Sequence, residues 1–209
     1  MEYQRSVNDT FLSTIAHSEL RGVTTDLAEV AIDMFLKDGI LKDIPIIGTI
    51  IGVYKGSMAI RDHIFLKKIL HFLSAIKDVP AKVREEMFVK LEKQGYNRYS
   101  VGETLLLILD KVDNYNKARL LGLLLKSLAA SLIDYSDFER FSSILANVFI
   151  QDLLHLPKYT AELKTNTGNH LEAHSLIMRK SIWVDDYAEE YTYQLSHLGE
   201  RFCKAVEIM

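Results

Sequence analysis

The chain has 209 residues, of which 48% are hydrophobic and 25% charged, with a formal net charge of −3. This composition is typical of a folded globular protein and excludes disorder throughout the chain. The small negative charge provides no general attraction to polyanions. Cys203 is the only cysteine, which excludes an intramolecular disulfide and a cysteine-based zinc site within one chain. The N-terminal segment MEYQRSVNDT has no apolar signal-peptide region, so we expect a cytoplasmic protein.

Four helices are predicted in the N-terminal half, each from a capping residue or a proline. They run from Asp9 to about Leu20, from Thr24 or Thr25 to Lys37, from Pro45 as far as Ile76, and from Pro80 to Gly95. Proline is suited to a first helical turn because it lacks only an N–H that would be unpaired there anyway. Glycine beyond the last turn is a common helix stop.

Two capping boxes of the form S-x-x-E predict the next helix starts. Ser100 with Glu103 precedes one apolar run, and Ser136 with Glu139 precedes another. In such a box the hydroxyl and the carboxylate satisfy unpaired backbone N–H groups at the helix start. Between the two boxes, residues 117–133 are apolar on nearly all sides, which predicts a buried central helix.

The last fifty residues have a different character. Pro157 is predicted to end the helical part near His155, and residues 164–169 have a loop composition. Residues 177–184 and 190–195 are rich in β-branched and aromatic side chains, which predicts two strands. Ser196 is the predicted cap of a final helix. The expected fold is mainly α: a multi-helix bundle over residues 1–135, followed by a small β-hairpin element within residues 136–209.

This C-terminal order resembles the end of a winged-helix domain. The second wing strand of that family commonly runs into a leucine-threonine-x-leucine-glycine helix start, and here Leu195–Gly199 reads LSHLG. The resemblance implies that the helix before the wing enters the DNA major groove while basic side chains hold phosphates. That helix would be NHLEAHSL, which has no lysine or arginine, and Arg179 with Lys180 is the local basic pair.

Charge weighs against a DNA clamp in this segment. Residues 137–209 contain 7 basic and 11 acidic residues, a balance of −4, whereas phosphate attraction dominates non-specific DNA affinity. A winged-helix-like fold used for protein contacts or dimerisation is therefore favoured, with a nucleic-acid-binding regulator as the alternative. The overall plan also resembles uncharacterised bacterial helical proteins that have a glycine-spaced apolar helix and a winged-helix-like tail. That resemblance implies no activity.

The segment PIIGTIIGVYKGSMAI places Gly48, Gly52 and Gly56 four residues apart. On a helix these glycines form one smooth groove, although each costs roughly 1 kcal/mol relative to alanine. Close approach of another backbone would offset that cost, as in small-residue membrane interfaces. We expect the groove to mediate tight packing within the chain, binding of a protein partner, or self-association.

A membrane span is the other interpretation of this segment. Only eleven residues, from Ile44 to Tyr54, are free of charge, and they cover about 16 Å of a ~30 Å hydrocarbon core. Extension to Ile60 places Lys55 inside the apolar region. A constitutive single span is therefore disfavoured, and peripheral engagement of the inner membrane stays open.

His170 and His174 have the i,i+4 spacing that can place two imidazoles on one metal. Glu172 would face away from this pair on a helix, unlike the glutamate of a metalloprotease motif. Surface or half-buried histidines are the simpler interpretation. No nucleophile elbow, phosphate loop or dinucleotide fingerprint is present in the sequence. We expect a non-enzymatic interaction protein with no cofactor and infer no small-molecule substrate.

Overall fold

A computed structural model describes residues 2–24, 44–52, 60–161, 168–185 and 188–208. Within these ranges the chain forms ten α-helices, one 3-10 helix and a two-stranded antiparallel sheet. The helices are α1 (Glu2–His17), α2 (Pro45–Gly52), α3 (Ile60–Ile76), α4 (Ala81–Lys93), α5 (Arg98–Lys111), α6 (Tyr115–Ala129), α7 (Tyr135–Asn147), α8 (Ile150–His155), α9 (Gly168–Ala173) and α10 (His197–Ala205). The 3-10 helix is Leu156–Thr160, and the strands are β1 (Ile177–Asp185) and β2 (Ala188–Leu195). The predicted mainly α fold with a small C-terminal hairpin is confirmed.

Helix α6 is the central helix of the bundle, as its apolar sequence predicts. It packs along α3 and also contacts α4, α7 and α10. Leu121 and Leu124 are fully buried on it, and Phe72 and Leu73 are fully buried on α3. Buried side chains from α1 to the residue after α10 form one connected apolar core. The division into residues 1–135 and 136–209 stays a prediction.

The two predicted capping boxes are wrong, because each helix begins earlier. Helix α5 is capped by Asn97, whose Oδ1 accepts hydrogen bonds from the N–H groups of Tyr99 and Ser100 at 2.9 and 3.3 Å. Helix α7 is capped by Asp134, whose Oδ1 accepts from the N–H of Asp137 at 2.8 Å. Asparagine and aspartate are caps at least as good as serine. The longer α7 also includes Tyr135, which is buried.

Helix α1 differs from its prediction at both ends. It begins at Glu2, so Asp9 is an exposed residue inside the helix rather than its cap. It ends at His17 rather than near Leu20. Buried Arg84 of α4 donates there to the carbonyls of Ile15 and Ser18, the latter at 2.7 Å. The carbonyls in the last turn of a helix lack helical hydrogen-bond donors, and the guanidinium of Arg84 donates to them here.

Helix α6 ends at Ala129, four residues before the predicted end at residue 133, and residues 168 and 169 of the predicted 164–169 loop lie in α9. Three other predicted boundaries are confirmed. Helix α2 begins at Pro45, and Gly95 adopts the left-handed conformation after α4 with a φ of 91°. Helix α8 ends at His155, although a 3-10 helix containing Pro157 follows it. The predicted helix over 25–37 and the junction over 53–59 lie outside the described residues, as does most of the predicted 164–169 loop.

The C-terminal hairpin pairs β1 with β2 in antiparallel register, with Ile177 opposite Leu195 and Lys180 opposite Thr192. Strand β2 packs on the 3-10 helix, and Tyr193 and Leu195 are buried. Ser196 caps α10 as predicted, since its Oγ accepts from the N–H of Gly199 at 2.9 Å. The helix, strand, strand and helix order that the resemblance implies is therefore present.

Candidate functional site

Helix α2 packs against α1, has one buried apolar face and makes hydroxyl hydrogen bonds to α1. Ile46 and Ile47 are fully buried and Ile50 is nearly so. The backbone N–H of Ile46 donates to Oγ1 of Thr14 at 3.1 Å, and Thr14 is itself fully buried. Because the first N–H groups of a helix have no helical partner, Thr14 acts as a cap supplied by another helix. Sequence reasoning missed this contact.

The glycines of α2 lie on the side opposite its isoleucines. At about 100° per residue, the centre of the face with Ile46, Ile47 and Ile50 is about 170° from the centre of the face with Gly48 and Gly52. Gly48 is half-buried. Gly56 and Lys55, which complete the predicted groove, lie outside the described residues. Among the described residues, the hydrogen bonds between the two helices run from the N–H of Ile46 to Thr14 and from Oγ1 of Thr49 to Oγ1 of Thr10, and neither involves Gly48.

Gly122 of α6, which the sequence did not single out, packs closely against the backbone of α3. A Cβ atom placed there would be 2.5 Å from the carbonyl oxygen of Phe72 and 2.7 Å from Cβ of Ala75. Gly102 of α5 is similar, since its Cβ would be 2.6 Å from Cγ of Leu12. The α3–α6 and α1–α5 contacts therefore need these glycines. A single glycine within an apolar helix is the sequence feature that could have indicated this close packing.

An apolar cleft of about 380 Å³ borders α2 on its isoleucine side. Ile50, Phe65, Leu106 and Leu107 are among its lining residues, and Leu107 is 65% exposed. A helix that filled this cleft would contact Ile50 rather than Gly48. The cleft and the glycine face are thus separate surfaces of the same short helix.

The basic pair on the hairpin is engaged by its surroundings. Arg179 Nε lies 3.7 Å from a carboxylate oxygen of Glu172, and its guanidinium lies 4.7 Å from the ring centre of Tyr191. Arg179 and Lys180 are both exposed on β1. The charge of Arg179 is therefore partly balanced by Glu172 where the winged-helix resemblance would place a phosphate contact.

The structure brings His170 and His174 together, with ring centres 5.6 Å apart. His170 is exposed and His174 is half-buried. A structural metal site needs about four ligands and a catalytic one about three. Among the described residues, no group of three histidine, cysteine, aspartate or glutamate side chains could hold a metal ion.

Asp9, Ser13 and His17 share one face of α1 and line an open cleft of about 710 Å³. An acid, a hydroxyl and an imidazole would suggest acyl transfer if hydrogen bonds of about 2.6–3.2 Å joined them. Among the described residues no hydrogen bond joins these three, and all are exposed. His17 is instead 3.7 Å from Glu85, whose carboxylate accepts hydrogen bonds from both terminal guanidinium nitrogens of Arg98.

Two buried lysines, Lys68 of α3 and Lys117 of α6, lie near the turn that connects α5 to α6. Lys68 donates to the carbonyl oxygen of Asp110 at 3.0 Å, and burial lowers its pKa. Lys117 lies 2.9 Å from a carboxylate oxygen of Asp113, and the hydrogen bond it donates lowers the pKa of that carboxyl. Each ammonium has a partner, so these lysines connect the ends of helices.

Cys203 is fully buried, and burial raises its pKa to about 12, which makes it a packed thiol.

No helix in the described ranges combines the length and the apolar character that a membrane crossing requires. Comparison of the chain with protein-family models, curated proteins and solved structures finds no match. A function is therefore inferred from the geometry of the molecule.

Proposed function

We propose that this chain is a non-enzymatic, bacterial-type helical interaction protein whose α2 glycine face binds another helix. The observation that carries the proposal is the position of Gly48 and Gly52 opposite the buried isoleucines of α2. Glycine in a helix interior costs roughly 1 kcal/mol relative to alanine. Contact with a second helix on the glycine face would offset that cost.

The partner in this proposal is the same helix of a second copy. A flat glycine face is complementary to itself, and a two-fold axis lets each copy present the same patch. Two glycines one turn apart allow the backbones of two helices to approach closely, as in small-x-x-x-small pairs. The proposed setting is the cytoplasm, and flotation with liposomes distinguishes it from peripheral membrane engagement.

The test compares Gly48→Leu and Gly52→Leu with Gly22→Leu. Gly22 is a matched control because nothing lies within 4 Å of a Cβ placed there. Sedimentation equilibrium should show that wild type and Gly22→Leu associate, while the two α2 variants associate at least tenfold more weakly, because leucine separates the helices. Urea midpoints should stay near that of the control. A monomeric wild type, or folded α2 variants that associate as strongly as Gly22→Leu, would contradict the proposal.

A nucleic-acid-binding regulator is the second candidate, favoured by the order of elements around the hairpin. It rests on Arg179 and Lys180, and the contact of Arg179 with Glu172 makes it the weaker candidate. Retarded migration of random duplex DNA at low salt would support it if Arg179→Ala combined with Lys180→Ala removed the effect.

A further inference from the structure

Strand β1 is the outer strand of the C-terminal hairpin, and β2 is the inner strand. Thr192 and Tyr193 of β2 point to opposite faces of the sheet, yet both are buried. On β1, the three consecutive residues 178–180 are all exposed, although they pair with this part of β2. Strand β2 packs on the 3-10 helix and on α10. The helices therefore cover β2 on both faces and leave both faces of β1 open over this stretch.

The backbone of β1 has hydrogen-bonding groups along its outer edge. The N–H of Ser196 donates to the carbonyl of Leu176 at 3.0 Å, one position beyond the last pair of the β1–β2 register. Hydrogen-bonded pairs alternate with non-hydrogen-bonded pairs in an antiparallel ladder, so the backbone groups of Arg179 and Ser181 point away from β2. Among the described residues, no backbone hydrogen bond outside the ladder involves either residue, and no third strand joins the sheet.

This outer edge is suited to one short extended peptide. Ile177 is buried at one end, and the pairing becomes irregular between Trp183 and Asp185 at the other. Arg179 and Ser181 are two residues apart, so their outward N–H and carbonyl groups repeat at about 7 Å, the spacing of any antiparallel strand. Addition of a strand to an exposed sheet edge is a common mode of peptide recognition.

Charge indicates which extended chain fits this edge. The exposed residues Arg179 and Lys180 lie on opposite faces of β1, so both faces of an added strand would meet a cation. The β1 strand of a second copy would bring the same two cations, and charged side chains on an edge strand oppose such pairing. Arg179 Nε is 3.7 Å from Glu172, farther than the roughly 2.7–2.9 Å of a charge-assisted hydrogen bond. Arg179 can therefore donate to a carboxylate of an added strand.

We infer that the outer edge of β1 binds an acidic, extended peptide segment of a partner protein, which pairs antiparallel as a third strand. Its backbone exchanges hydrogen bonds with the backbone of Arg179 and Ser181, and two consecutive acidic side chains lie beside Arg179 and Lys180. Nucleic acid would offer phosphates to the same cations, but its backbone has no N–H groups to donate to the β1 carbonyls. The inference goes beyond the proposed function, because it uses no residue of α2.

The probe is a peptide of sequence VTEEVT with an N-terminal fluorescein and a C-terminal amide. It is titrated with the full chain at low salt and followed by fluorescence anisotropy. One comparison peptide has lysine in place of both glutamates. Two others carry backbone N-methyl groups, either at the second and fourth positions, whose N–H groups would donate to β1, or at the third and fifth, whose N–H groups would point away.

We expect the lysine peptide, and the peptide methylated at the second and fourth positions, to bind at least tenfold more weakly than the probe. The peptide methylated at the third and fifth positions should bind within about threefold of the probe, because those N–H groups make no bond to β1. No binding of the probe at several hundred micromolar protein, equal binding of the lysine peptide, or equal binding of the two methylated peptides would overturn the inference.

Variants of the protein place the binding on β1. Ser181→Pro removes an N–H that points away from β2, and proline is compatible with an edge strand at such a position. Arg179→Gln combined with Lys180→Gln removes both cations, and Arg140→Gln combined with Lys93→Gln removes two exposed cations on other elements as the matched control. The first two variants should weaken binding of the probe roughly fivefold or more, and the control should leave it unchanged.

Circular dichroism verifies the fold of each variant. If Ser181→Pro does not fold, the two methylated peptides provide the test of backbone pairing. Wild-type affinity in the folded β1 variants, or a wild-type chain that binds random duplex DNA but not the probe, would refute the assignment.

Discussion

Replacement of Thr14 by valine tests the contact that positions α2. Thr14 is fully buried, and its hydroxyl donates to the carbonyl of Thr10 at 2.8 Å while it accepts from the N–H of Ile46 at 3.1 Å. Valine has the same branched shape and a similar helix propensity, so the change removes the hydroxyl and little else. It leaves the N–H of Ile46 buried without its partner.

The expected loss follows from that unsatisfied donor. A buried polar group that loses its partner costs about 1–3 kcal/mol. The added methyl group offsets up to about 0.8 kcal/mol, because it buries more apolar surface. The net destabilisation should therefore be about 1–2 kcal/mol, and it should fall mainly on α2, since the lost contact joins this helix to α1.

Urea unfolding gives the global value, and native-state amide exchange gives the local one. Thr104→Val is the matched control, because Thr104 is half-buried on α5 and makes no side-chain hydrogen bond among the described residues. In Thr14→Val, the α2 amides should lose more protection than those of α3. Equal urea midpoints for the two variants, with unchanged α2 protection, would refute the idea that this hydroxyl holds α2.

Two further predictions concern helix contacts elsewhere in the bundle. Gly122→Ala should lower the free energy of unfolding by about 1–3 kcal/mol through overpacking, while Gly22→Ala, measured in the same urea titration, should change it little. The hydrogen bonds from Arg98 hold the pKa of Glu85 below its ordinary value of 4.5, so their contribution is complete above that pH and is lost as pH falls through the lowered pKa. Glu85→Gln should therefore reduce stability at neutral pH and flatten the acid-side loss, and parallel urea midpoints across the pH range would contradict this.

The sequence predicts the described elements where one local signal has no competitor. Pro45, Gly95 and Ser196 marked boundaries correctly because each acts through its own backbone conformation or side chain. The capping boxes at Ser100 and Ser136 failed because better caps precede them. A capping-box pattern shows that its serine could cap a helix, but tertiary burial decides whether the helix begins at that serine or earlier in the chain.

Contacts between distant segments were beyond the reach of sequence patterns. Arg84 reaches carbonyls of α1 from α4, and nothing in its local sequence distinguishes it from an exposed arginine on an amphipathic helix. Tyr135 lines a cleft whose other walls come from α4 and α10. Periodicity predicts which face of a helix is apolar, but it does not predict which distant element lies against that face.

The two groups of glycines show why spacing alone does not distinguish packing from binding. Gly122 stands alone among leucines, and the backbone of α3 fills the space that its missing side chain leaves. Gly48 and Gly52 are regularly spaced, and the buried isoleucines lie on the opposite face of α2. If core packing were the reason for glycine in α2, the glycines would lie among those isoleucines. Their position on the other face supports the proposal that a second helix contacts α2 there.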